Sequence, residues 1–315
     1  MREKELRIAL VCFGGVSLAI YMHGISKEIL KLLRASARLH GLPDRQAREN
    51  ADFFDGLDNS EGEYDTEADY FDLLRLIAKR DLEMRVVVDI IAGSSAGGIN
   101  ATMLARAIAH DLPMRRLRNL WLENADVSVL LSPEAKAKAW SKFFLKPLMW
   151  AASRFGYIEF TDSEVRDKVS LFLRSRWFKP PLDGMGMAAL MYEAVTISGE
   201  PRSPTASLLP TGQNLDLFVT MTDYFGHIER VQIHTPTLIH EVEHRQILRF
   251  KYRRYANNEV LSDFTLDNAA ALAFAARATS SFPGAFPPAQ IAEMDQLLEQ
   301  RGDEWPNREE FILDN

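Results

Sequence analysis

The chain has 315 residues, a formal net charge of −7 and 47% hydrophobic residues, enough for one large folded unit with its own core. Its mild acidity excludes a domain-wide basic field, and with it nucleic acid as the main partner. One cysteine, Cys12, cannot close an internal disulfide; this fits a reducing compartment and a cytoplasmic location, with Cys12 a small core residue.

Residues 1–6 mix both charge signs. The apolar run 8–22 is broken by Gly14 and Gly15 and lacks a small-residue cleavage site, so neither a signal peptide nor a transmembrane helix is read there. Residues 6–13 read as a strand that ends in the Gly14-Gly15 turn. Residues 18–37 read as a helix, with Ile25, Ile29, Leu32 and Leu33 at helical spacing. Residues 40–67 are rich in Asp, Glu, Asn and Gly and read as a polar insertion loop. A helix is expected over 70–79 and a buried strand over 84–91, where Val86, Val87 and Val88 run together. Residues 96–109, rich in Ala, Leu, Met and Ile, read as a buried helix.

Helices follow over 112–124 (opened by Pro113), 133–155 (interrupted at Pro147) and 163–177. Residues 198–213 are a Pro/Ser/Gly-rich linker within the single domain 1–315. Strands are expected over 215–222, 228–234 and 247–253, the first two joined as a hairpin at 224–227. An Ala-rich helix over 267–279 runs into the turn 280–288, and a last helix covers 291–301. Alternating strands and helices in the first third predict a mostly parallel sheet flanked by helices.

Gly93-Ser94-Ser95-Ala96-Gly97 lies where the Val-rich strand meets the Ala-rich helix. A serine on such a turn is pushed out of the backbone with its hydroxyl at the helix N-terminus, and small neighbours let the turn close. Ser95 is therefore the candidate nucleophile, with Gly93 and Gly97 forming the elbow. The N–H of Ala96 opens the helix where an oxyanion would form. In a parallel sheet Gly14 and Gly15 reach the same edge and can complete the hole. The competing reading of the elbow is a phosphate-binding or purely structural turn, but it lacks the lysine of a P-loop.

Three segments in this order resemble patatin-like phospholipases: Phe13-Gly14-Gly15-Val16-Ser17-Leu18, the Gly93–Gly97 pentad, and the stretch from Ala278 through Phe282-Pro283-Gly284-Ala285-Phe286-Pro287 to Pro288. Phe13, Ser17 and Leu18 replace the first Gly, the basic residue and the last Gly of the family loop. The resemblance implies a three-layer α/β/α sandwich and a serine lipid acyl hydrolase or esterase. It would act through a Ser-Asp dyad and an acyl-serine, with no cofactor and no catalytic metal. The resemblance also places the dyad aspartate in an Asp-Gly segment after the Phe-Pro-Pro turn. No Asp-Gly follows Pro288; Asp55-Gly56 and Asp183-Gly184 come too early and read as loop turns. The expectation is thus an aspartate beyond residue 315, a fold incomplete at its C-terminal end, and loosely held polar residues after Arg301.

Two other functions stay open. One is a non-enzymatic lipid- or partner-binding module on the same fold. The other is a zinc metalloprotease through His240-Glu241-Val242-Glu243-His244, which matches the His-Glu-x-x-His pattern but has no room for a long helix and no evident third ligand. Residues 135–154 alternate lysines with Trp and Phe. They read as an amphipathic helix packed on the domain, with peripheral contact to an anionic membrane as the alternative. Asp223 is expected to cap a turn before Gly226 rather than serve as a catalytic acid.

Overall fold

The computed structural model describes residues 2–15, 19–53, 65–124, 130–132, 180–203 and 205–314. Strands β1 (Arg2–Cys12), β2 (Leu82–Ser94), β3 (Asn214–Gln232), β4 (Leu238–Arg254) and β5 (Val260–Ser262) form one sheet in that order. β1, β2 and β3 are parallel, while β4 and β5 are added antiparallel. The helices are α1 (Ala19–His40), α2 (Arg45–Asn50), α3 (Asp65–Ala78), α4 (Ala96–His110) and α5 (Arg115–Asn124). They continue as α6 (Gly184–Thr196), α7 (Ala269–Thr279), α8 (Ile291–Arg301) and α9 (Arg308–Asp314). Consecutive Val86, Val87 and Val88 are all buried, so both faces of β2 are covered along this stretch, as the expected α/β layering requires.

Every residue of α4 is buried. A mostly apolar helix covered on every side belongs in the centre, and its alanines let β2, α1 and α7 approach closely. Ser36 Oγ on α1 accepts a 2.9 Å hydrogen bond from the N–H of Val86, tying that helix to the sheet. The parallel strands bring their carboxyl ends to one edge, with Cys12 beside Gly93 and Ser94 beside Thr220. In an open α/β sheet that edge is where ligands bind.

Several expectations need correction. The hairpin placed at 224–227 is an irregularity inside one continuous strand: β3 runs from Asn214 to Gln232, and its register with β4 shifts between Thr222 and His227. The chain reverses at 233–237 instead. Gly226, at φ 72°, supplies turn-like chemistry that here builds a bulge. Residues 45–50 of the polar stretch form α2, opened by Asp44, whose carboxylate accepts from the N–H of Ala47 at 2.8 Å. The stretch 198–213, expected as a linker within the domain, packs on it through buried Leu208 and Leu209, and the N–H of Leu208 donates to Ile108 O at 3.0 Å.

Residues after Arg301 are also held. The ring of Phe311 lies 5.5 Å from that of Trp305, 5.9 Å from Phe274 and 6.5 Å from Phe250, and Arg308 pairs with Asp295 at 2.7 Å. Trp305 and Phe311 dock the stretch, while its other large apolar residues, Ile312 and Leu313, stay exposed. The helices expected over 133–155 and 163–177, including 135–154, lie outside the described residues. Among the described residues no helix is long and apolar enough to cross a membrane.

Candidate active site

Ser95 sits between the end of β2 and the start of α4 with φ 53° and ψ −131°, a conformation that L-residues rarely adopt. Such a residue is strained and persists only where its surroundings hold it. Here they do so with small residues. A Cβ on Gly93 would lie 2.7 Å from Gly97 O and 2.8 Å from Ala101 Cβ; one on Gly97 would lie 2.0 Å from the carbonyl oxygen of Cys12. The first turn of α4 is thus pressed against the end of β1, and only glycine fits between them.

The glycine turn after β1 reaches the same place. A Cβ on Gly14 would stand 2.5 Å from Ser95 Cβ and 3.2 Å from Ser95 Oγ. The main chain there approaches the serine as closely as a missing side chain permits, and Gly15 continues the turn. Asn100 fixes the far side of the turn by donating to Ala19 O at 3.1 Å and Ala96 O at 3.0 Å, joining the starts of α1 and α4. The expected residues Ser95, Ala96, Gly14, Gly93 and Gly97 therefore converge at one strand edge. Ser95 is exposed there, whereas Ala96 behind it is buried.

Sequence reasoning missed Thr279, the last residue of α7. Its Oγ1 accepts from the N–H of Ser95 at 2.8 Å and donates to Thr220 O at 2.7 Å on β3. One hydroxyl thus locks elbow, sheet and α7 together. A Cβ on Gly98 would come 2.7 Å from Thr279 Cγ2, which explains the extra glycine after the pentad. Below it, the fully buried Arg277 donates to Gly184 O at 3.2 Å and Pro287 O at 2.9 Å, and hydrogen-bonds Ser281. Burial pulls the Arg277 pKa down, with Glu293 and Asp183 opposing the shift. Arg277 thereby pins both ends of the Ser280–Pro288 turn. The only sequence trace of this role is a basic residue in an Ala-rich helix.

Among the described residues no carboxylate or imidazole hydrogen-bonds Ser95 Oγ. Asp183 stands at the N-cap position of α6, its N–H donating to Leu130 O at 2.8 Å, and Asp55 lies outside the described residues. Asp223 does what its sequence context suggests: its carboxylate accepts from the N–H of Phe225 at 3.0 Å. The His-Glu-x-x-His segment lies on strand β4, not on a helix. Residues four apart in a strand are separated by about 13 Å, so His240 and His244 cannot share one ion, and Glu241 projects to the opposite face. His244 Nδ1 instead lies 2.8 Å from Asp223 O. Among the described residues no three His, Cys, Asp or Glu side chains are grouped to hold a metal ion.

A strained serine between a parallel strand and a buried helix, faced by a glycine turn, defines the molecule as an α/β protein with a nucleophile-type elbow. The patatin-like phospholipase family model matches residues 68–295, and the chain belongs to this family of lipid acyl hydrolases. It is 30% identical over 288 residues to an uncharacterized membrane protein of Mycobacterium tuberculosis. That match covers 90% of this chain and 21% of the relative, so the chain spans about a fifth of the relative's length. No solved structure gives a significant match.

Proposed function

We propose that this region is a serine acyl-ester hydrolase acting on lipid through an acyl-Ser95 intermediate. The observation that carries the reading is the strained Ser95 held against Gly14. The hydroxyl oxygen attacks the ester carbonyl, its proton passes to a base, and the alcohol leaves; water then releases the fatty acid and regenerates the serine. The N–H groups of the first turn of α4 have no partner within the helix, so the N–H of Ala96, with those of the Gly14-Gly15 turn, is suited to hold the developing oxyanion. The base is proposed to be the family's aspartate, supplied from outside the described residues, and no metal takes part.

The test is made on the full-length protein. A serine-directed fluorophosphonate should label Ser95, and Ser95→Ala should lose both the label and ester hydrolysis, the latter by at least about 10³-fold, while the fold is kept. Chelator treatment should leave the rate unchanged. Full activity in the alanine variant would remove Ser95 from the chemistry and favour a binding module on the same fold.

A further inference from the structure

We propose that the bulge of the β3–β4 arm, with Phe13 and Phe282 at its foot, seats the protein on a zwitterionic lipid surface. The inference rests on the lipid-hydrolase reading for the choice of partner, but its deciding test, a dye at position 225, does not.

The arm begins at the candidate site. Thr220 of β3 pairs with Ser94, the last residue of β2, and β3 then runs on past that edge. At about 3.3 Å per residue, Tyr224 and Phe225 stand roughly 13–17 Å beyond it. They are 76% and 85% exposed, and Ile228, directly across from Val242, is 70% exposed. The foot of the arm is apolar too. Phe13, one residue before the glycine that meets Ser95, is 76% exposed; Phe282, three residues after the threonine that holds the N–H of Ser95, is 68% exposed. Scattered exposed apolar residues are ordinary, but this many large ones around one site mark a contact surface.

The bulge that presents the aromatic pair is built. Asp223 accepts from the N–H of Phe225, His244 binds Asp223 O, and the two rings meet edge to face at 5.2 Å. Gly226 has φ 72°, and a Cβ there would lie 2.7 Å from Val242 Cγ1. Large apolar side chains that a bulge held by its own hydrogen bonds turns out into water have something to enter. The location says what that is. A protein docked permanently on this rim would close off Ser95, whereas a lipid surface delivers substrate through the contact itself. Charge selects the lipid. The chain carries −7, and on the arm Asp223, Glu229, Glu241 and Glu243 outnumber Arg230 and Arg245. An anionic bilayer would repel it, so the attraction is apolar and insensitive to salt.

A dye that brightens in apolar surroundings, attached through Phe225→Cys in the full-length protein, reads the contact locally and independently of any other anchor. With phosphatidylcholine vesicles its emission should shift to the blue and be quenched by spin-labelled lipid, equally at low and high salt and equally in a Ser95→Ala background. A dye attached through Leu76→Cys, on the exposed face of α3, should not respond. Tyr224→Ser/Phe225→Ser should cut turnover of vesicle lipid by about tenfold or more while leaving hydrolysis of a water-soluble short-chain ester unchanged. No quenching at position 225 overturns the proposal, as does a response that needs anionic lipid. A response that rises with protein concentration in the absence of lipid also overturns it, in favour of pairing between copies of the chain.

Discussion

Gly97 and Thr279 show how little space the elbow leaves. A methyl on Gly97 would overlap the carbonyl oxygen of Cys12, a backbone atom that moves only if the end of β1 moves. Gly97→Ala is therefore expected to cost about 1–3 kcal/mol or more, as overpacking does, and to pull β1 and Gly14 away from Ser95. Urea unfolding reads the first effect and fluorophosphonate labelling rate the second. Thr279→Val removes the only acceptor for the N–H of Ser95 among the described residues and should cost on the order of 1–3 kcal/mol. Thr279→Ser keeps the hydroxyl and should restore most of that stability and the labelling rate. Equal loss in both variants would mean that the methyl, packed on Gly98, matters more than the hydrogen bond. Gly93, Ser95 and Gly97 were legible in the sequence because the motif is local. Thr279 was not, because it acts 184 residues away through a single hydroxyl.

Among the elements, those whose periodicity is set by one core were legible within a few residues. β2, α4 and α8 fall where the valine run, the alanine-rich run and the 291–301 pattern put them. α6 was missed because Gly184 and Gly186 open it and because its faces are nearly all apolar, which removes the amphipathic signal. The β3–β4 arm was misread because the bulge residues Asp223 and Gly226 have hairpin chemistry and nothing local reveals that β3 resumes beyond them. The apolar helices make their own prediction. Ala273 of α7 is wholly buried, and α7 packs against α4 and α6 at alanine distance. Ala273→Leu should force those helices apart and cost about 1–3 kcal/mol in urea unfolding. An unchanged midpoint would show that the packing is loose enough to absorb three extra carbons.

Across the whole molecule, folding should weaken in mild acid, and His110 is a main cause. It closes α4, is 3% exposed, and its Nε2 lies 2.9 Å from Ser262 Oγ on β5. Burial, with the nearby Arg106 guanidinium adding repulsion, pushes its pKa from 6.5 down to about 4. The folded state thus keeps the imidazole neutral while the unfolded chain takes up a proton below about pH 6.5. The stability this group contributes is fully present above pH 6.5 and is lost as the pH falls toward 4. Between pH 8 and pH 5 the loss comes to about 2 kcal/mol. His40, whose pKa burial also lowers, adds in the same direction. Buried Glu67 and half-buried Asp263 act oppositely: burial raises their pKa values, so acidification relieves a penalty. The comparison that isolates His110 is therefore between wild type and His110→Gln, which keeps a partner for Ser262. Urea midpoints measured at pH 8 and pH 5 should fall further apart in the wild type than in the variant, by the equivalent of about 2 kcal/mol. The same pH dependence in both proteins would show that His110 is protonated in the folded state, or that acid opens the molecule elsewhere first.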